Sequence, residues 1–224
     1  MKGHAALADT ETAKFKEGDG PWLAFHAQTT DKLLLAADNG RFYTLAADKL
    51  PGARGFGEPV RLMVDIENDA QLMALMPAQA GMKLLLAAGD GRGFVAQAEE
   101  ILAETRKGRQ VVNLKGDAKL KVVSPIPADA DYVAVVGDNR KLLVFPLAEL
   151  PEMVRGQGVA LQRYRDGGLS DAIAFRYENG LSWPMGGDGG RTRTESDLTG
   201  WRAARGAAGR MPPTGFPRNN RFRG

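Results

Sequence analysis

Cation–glycine pairs recur along this 224-residue chain, and five of them keep a near-constant beat: Lys2-Gly3, Arg54-Gly55, Lys107-Gly108, Arg155-Gly156 and Arg205-Gly206. Successive cations are 52, 53, 48 and 50 residues apart. The pairing suits one kind of chemistry. Glycine lets a backbone approach an oxyanion closely and present its N–H, while the neighbouring cation supplies charge, so each pair fits a sequence-independent phosphate contact. Turn geometry at positive φ explains the glycines equally well and does not exclude that role.

Other chemistries find no residues to carry them. The chain has no Cys, which removes thiolate catalysis, Cys-based zinc sites and iron–sulfur ligation and fits a reducing compartment. His4 and His26 are the only histidines and have no ligand-spaced partner, so no metal site is assigned. Ser and acidic residues lie scattered without a companion base, and no catalytic residue is assigned. The glycine-rich run from Gly186 to Thr192 lacks the Lys-Ser/Thr ending and following helix of a phosphate-binding loop, and reads as a flexible hairpin. Trp22, Trp183 and Trp201 read as packing residues rather than base-stacking platforms. Apolar runs such as Leu33 to Ala37 and Leu84 to Ala88 are too short to span a bilayer, and the N-terminus lacks a signal-peptide pattern. A cytoplasmic protein without membrane insertion is expected.

A net charge of +3 hides an asymmetry. From Pro151 to Gly224 there are twelve Arg, no Lys and seven acids, a balance of +5, against −2 for residues 1–150. Arg suits planar, bidentate phosphate contact better than Lys, although a GC-rich genome gives the same bias.

The elements that must position these cations repeat on the same beat. Tight-turn pairs at Asn39-Gly40, Asp90-Gly91, Asp138-Asn139 and Asp188-Gly189 begin 51, 48 and 50 residues apart. Asn, Asp and Gly tolerate the positive φ that twisted antiparallel hairpins need. Short apolar runs flank the turns, as in Lys32 to Ala37 with Arg41 to Leu45. A small acidic, leucine-bearing turn follows each hairpin, then the cation–glycine loop. Two further strands are expected to close each unit: Val60 to Val64 with Leu72 to Leu75, Val111 to Leu114 with Leu120 to Val123, and Val159 to Arg163 with Asp171 to Phe175.

Four short strands per roughly 50 residues is the pattern of a propeller blade, whose faces are buried only by stacking on neighbours. The expectation is an all-β, propeller-like disc, one domain over 1–224, of about five blades: 1–28 (partial), 29–79, 80–129, 130–178 and 179–224. The hairpin that should precede Lys2-Gly3 would lie upstream of Met1. Residues Met211 to Gly224 have weak apolar patterning and are expected to be partly irregular.

The candidate phosphate contacts are Arg54, Lys107, Arg109, Lys115, Arg155, Arg163, Arg165, Arg205 and Arg210, with Arg41, Arg92, Arg140 and Lys141 of the hairpin turns behind them. Any single surface Lys or Arg is more often merely solvated. As a set their periodic placement is not what random surface charge produces.

Three stretches carry a family likeness: LPGARGFGEPV (Leu50 to Val60), GRGFVAQAEEILAETRKGRQVVNL (Gly91 to Leu114) and KLLVFPLAELPEMVRGQGVALQ (Lys141 to Gln162). With the early KGH at Lys2 to His4, they make the chain resemble the gyrase A C-terminal β-pinwheel family, in particular the branch found in topoisomerase IV A subunits, over almost its whole length and least after about Leu181. The resemblance implies a β-pinwheel whose neighbouring blades exchange strand pairing and whose basic rim binds and bends double-stranded DNA without reading sequence. It implies a parent type II topoisomerase serving decatenation, supercoil relaxation and chromosome segregation in the nucleoid. Its further partners would be the catalytic core of the same polypeptide and the topoisomerase IV B subunit. It implies no cofactor in this chain, with ATP and Mg acting through other domains of the parent. The Gln-Arg-Arg-Gly-Gly-Lys-Gly box of gyrase tails is absent, its nearest echoes being Arg54 to Gly57 and Arg155 to Gly158. That departure favours bending over chiral wrapping. A gyrase-type wrapping domain and a propeller-type protein-interaction scaffold are the alternatives.

Overall fold

The computed structural model describes residues 15–52, 55–185 and 190–223. Lys2-Gly3, His4, Arg54 and the Asp188-Gly189 turn lie outside the described residues.

The described residues are all-β, with helical turns only of the 3-10 kind, such as Ala47–Lys49, Ala98–Ile101 and Leu147–Glu149. Hairpins form where the turn chemistry demands. They are β1 (Lys32–Ala37) with β2 (Arg41–Ala46), β4 (Lys83–Ala88) with β5 (Arg92–Gln97), and β8 (Tyr132–Gly137) with β9 (Leu142–Pro146). In each turn a side-chain oxygen, of Asn39, Asp90 or Asn139, accepts the N–H two residues on, from Arg41, Arg92 or Lys141. The following position is left-handed: Gly40 and Gly91 supply it in the first two turns, and Arg140, with φ 62°, in the third. The fourth hairpin joins β12 (Leu181–Pro184) and β13 (Thr192–Glu195).

An inner strand joins each of the first three hairpins: β3 (Leu72–Pro77) on β1, β7 (Leu120–Pro125) on β4 and β11 (Leu169–Phe175) on β8. Each inner pairing is irregular at the same place, between Ala36 and Ala37, between Ala87 and Ala88, and between Leu169 and Asp171. Such irregularities bend a strand.

The outer strands differ from the sequence expectation. Val60 to Val64 forms no strand but a 3-10 turn, Val60–Leu62, behind Pro59. Val111 to Leu114 is no strand, the two-residue β6 (Arg109–Gln110) lying just before it and Val112 making only an isolated bridge to Gly156, and Val159 to Arg163 shrinks to the two-residue β10 (Val159–Ala160). Neither closes its own unit. Gln110 pairs with Arg41, Ala160 with Arg92, and Arg210 bridges to Leu142, each partner lying 68 or 69 residues back on the preceding hairpin. Neighbouring blades thus exchange their outer strands. The physical reason is an open edge on the second hairpin strand and a glycine that lets the later chain reach it: a Cβ on Gly158 (φ 73°) would collide with the Gly93 carbonyl.

Cores lie between successive sheets. Leu34, Ala36 and Phe42 of the first sheet meet Leu84, Leu86 and Phe94 of the second. On the other face of the second sheet, Leu85, Ala87 and Val95 meet Val133, Val135 and Phe145. Ala134, Val136 and Val144 then meet Leu181, Trp183 and Leu198. Strands buried on both faces need no alternation, which is why β1 and β4 both read KLLLAA. Each fully buried Leu contributes about 1.5–3 kcal/mol.

Residues 15–28 contribute no strand. Residues 211–223 are irregular yet anchored: Phe216 and Phe222 are buried with Trp183, and Arg140 donates to the carbonyls of Phe216, Pro217 and Arg218.

Candidate nucleic-acid interface

The exchanged segments carry the Lys107-Gly108, Arg155-Gly156 and Arg205-Gly206 loops across from one blade to the next. Two structurally distinct glycines stand behind the sequence motif. Gly108, Gly158 and Gly209 sit where a Cβ would collide with a carbonyl of the preceding hairpin, at Phe42, Gly93 and Leu142 respectively. Gly156 and Gly206 instead donate their N–H to the carbonyls of Val111 and Leu161. Lys107-Gly108 is therefore not the structural counterpart of Arg155-Gly156, although both fall on the sequence beat.

The candidate cations divide by what their side chains already hold. Arg41 donates from Nε to the Lys107 carbonyl at 2.6 Å, and Arg92 from Nη1 to the Gly158 carbonyl at 2.9 Å. Arg109 reaches the Glu100 carbonyl at 2.9 Å, and Arg205 the Ala160 carbonyl at 2.6 Å. Arg140 holds the C-terminal segment. These five guanidiniums clamp loops, which leaves fewer of their five N–H donors for a ligand. Burial leaves the Arg205 Nε without a partner.

Lys107, Lys115, Arg163, Arg165 and Arg210 are exposed, and their side chains hold no hydrogen bond or ion pair with another described residue. Arg155 is exposed with one long bond, 3.4 Å, to Asn113 Oδ1. Lys141 is half-buried, and its carbonyl accepts from Gln162 Nε2. Arg41 and Lys107 are brought together, as are Arg92 and the loop that carries Arg155. Arg140 is drawn away to the C-terminal segment.

Tyr164 was missed by motif reasoning. Its ring fills the space beside Gly91 and Gly137, at the turn ends of two adjacent blades. Burial, then the nearby Asp138 and Asp90, push its phenol well above the usual tyrosine range, so it stays neutral. With the tyrosine turned inward and partly buried, Arg163 and Arg165 on either side face solvent. The available signal was the Arg-Tyr-Arg alternation itself, a cation–apolar–cation pattern in an extended segment.

Charge reverses around the blades. Glu152 bridges to Val95 and pairs with Lys83 at 3.0 Å. Fifty residues later Arg202 bridges to Val144, its guanidinium 5.2 Å and 5.5 Å from the ring centroids of Tyr132 and Tyr177. An open groove of about 540 Å³ is lined by Glu100 and Glu152 with Arg155 as its one cation, so its lining carries a net negative charge. No group of three or more His, Cys, Asp or Glu among the described residues could hold a metal ion, and no described helix is long and apolar enough to cross a membrane.

The family model for the DNA gyrase C-terminal domain, beta-propeller, matches residues 31–79, 83–127 and 131–171. The A subunit of DNA topoisomerase 4 from Caulobacter vibrioides is 44% identical over 217 residues, which is 97% of this chain and 28% of that protein. The protein of the same name from Rickettsia bellii is 40% identical over 222 residues, 99% of this chain and 29% of its own length. The chain thus spans less than a third of these relatives. Among solved structures, the E. coli ParC C-terminal domain superposes with a TM-score of 0.82 at 22% identity, covering 93% of this chain and 87% of that one. At that identity the likeness speaks for the fold alone.

Proposed function

Since the chain belongs to the gyrase A C-terminal β-propeller family, we propose that it is the non-catalytic, DNA-binding and DNA-bending part of a topoisomerase IV A subunit. It binds duplex through phosphates, without reading base edges, and positions the transported segment for strand passage carried out elsewhere in the parent enzyme. Its partners are the catalytic core of the same polypeptide and the B subunit, with ATP and Mg used by those other parts. Its place is the cytoplasm, at the nucleoid.

The observation that supports this reading is a division of labour among the cations. Arg41, Arg92, Arg109 and Arg205 are spent on loop carbonyls, while Lys107, Lys115, Arg155, Arg163, Arg165 and Arg210 on the same inter-blade connections are exposed. Rigid loops hold the exposed cations ready, so less side-chain and loop entropy is lost when phosphate binds. Arg54, outside the described residues, belongs to the same proposed series. Bending a site of roughly 20–30 bp costs a few kcal/mol, which added phosphate contacts offset.

A gel shift on random-sequence duplex at two salt concentrations tests the reading. Strong, salt-sensitive, sequence-blind retardation is expected, and absence of retardation at low salt overturns it.

A further inference from the structure

The inner strands β3, β7 and β11 each lie at the open edge of a different sheet. All three meet the C-terminal segment around one depression of about 190 Å³, lined in part by Met73, Lys121, Ser124, Asp171, Arg221 and Arg223. The space is the hub shared by three blades. Its contents are unusual in two respects.

First, three cations stand against one carboxylate, and that carboxylate is occupied: Asp171 accepts the Ala172 N–H at 2.9 Å and the Phe222 N–H at 2.8 Å. Phe222 is buried at 2% exposure, which fixes Arg221 and Arg223 on either side of it. The side chains of Lys121, Arg221 and Arg223 are exposed and hold no hydrogen bond or ion pair with another described residue. Second, Ser124 is only 6% exposed and its Oγ has no hydrogen-bond partner. A buried hydroxyl without a partner calls for a missing one, a water or an ion.

We infer that the hub is a binding site for a small tetrahedral oxyanion of the phosphate class, held by Lys121, Arg221 and Arg223, and that the Ser124 Oγ, closed to solvent in this structure, turns toward the bound ion as a further donor. A water occupies about 30 Å³ of liquid, so the depression has room for such an ion with part of its hydration, and it is too narrow to admit a duplex. The bound ion ties the C-terminal segment to β7 and β11, and so closes the third blade against the second. This site does not depend on the DNA reading: Arg163 and Arg165 take no part in it.

The test is a ¹H–¹⁵N NMR titration of the whole chain with inorganic phosphate, sodium chloride holding ionic strength constant. Saturable shifts confined to the amides of residues 121–124 and 221–223 are expected. They disappear in R221A/R223A, weaken about tenfold in apparent affinity in K121Q, and persist in R163A/R165A. Lys121, Arg221 and Arg223 are exposed, so the wild-type spectrum elsewhere serves as the check that the variants fold. Absence of saturable shifts, shifts spread equally over the 163–165 loop, or displacement of the phosphate by random-sequence duplex each overturn the inference. Loss of duplex binding alone would sink the DNA reading and leave the hub site standing.

Discussion

The Tyr164 ring is packed so tightly on Gly137 that a Cβ there would meet its Cε1 at 2.6 Å. The other edge of the ring faces Gly91 in the neighbouring blade, so one side chain plugs the gap between two hairpin turns. Arg163 and Arg165 are held outward because the residue between them is held inward.

Tyr164→Phe removes a buried hydroxyl that has no partner, and such a group costs about 1–3 kcal/mol. The variant is expected to be more stable by about 1 kcal/mol with unchanged duplex affinity. Tyr164→Ala is expected to lose about 3–5 kcal/mol and to bind duplex more weakly. Urea unfolding and fluorescence anisotropy read both; equal duplex affinity in a folded Tyr164→Ala protein would remove the positioning role.

Replacing Arg155, Arg163 and Arg165 together by Ala should weaken duplex binding and flatten its salt dependence by up to about 0.9 log unit per decade of salt for each phosphate no longer neutralised. Their exposure predicts little change in thermal stability. A titration at several salt concentrations showing the wild-type slope would reject these residues as contacts.

Gly158→Ala places a Cβ against the Gly93 carbonyl at a φ of 73°. The exchanged strand β10 must then move away from β5, at a cost of about 2 kcal/mol or more from backbone strain and broken pairing. Gly52→Ala, where nothing lies within 4 Å, is the control. Equal urea midpoints for the two would contradict the close approach.

Burial raises the carboxyl of Asp171, against the pull of the Phe222 and Ala172 N–H groups and of Arg221 and Arg223. The folded value lies above the unfolded one, so the linked stability is full below the ordinary carboxylate range and falls as pH rises through the raised value. The unfolding free energy of wild type relative to Asp171→Asn should therefore drift against wild type across that window and level off towards neutral pH. A difference flat throughout would show that the carboxyl does not titrate anomalously.

Arg140→Ala removes the donor to the Phe216, Pro217 and Arg218 carbonyls and to Asn220 Oδ1. Limited proteolysis should then cut within 211–223 sooner than in wild type. The hairpin turn should survive, because the Asn139 Oδ1 bond to the Lys141 N–H remains. Unchanged cleavage kinetics would mean that Phe216 and Phe222 anchor the segment by themselves.

The sequence by itself determined the hairpins and the blade period. Their signals are local: Asn39, Asp90 and Asn139 each satisfy an N–H two residues away, and runs such as KLLLAA are written for burial on both faces. It also located the excess of arginine in the C-terminal third. The family likeness implied that blades exchange strands, but only the tertiary structure decided which residues cross to the preceding blade, because a two-residue strand has no periodicity and its partner stands 68 or 69 residues away. The same distance hid which cations are free. Arg109 and Lys107 look alike in sequence, yet the first is bound to the Glu100 carbonyl and the second faces solvent. The difference is set by where a carbonyl falls once the blades stack, and no spacing along the chain records that.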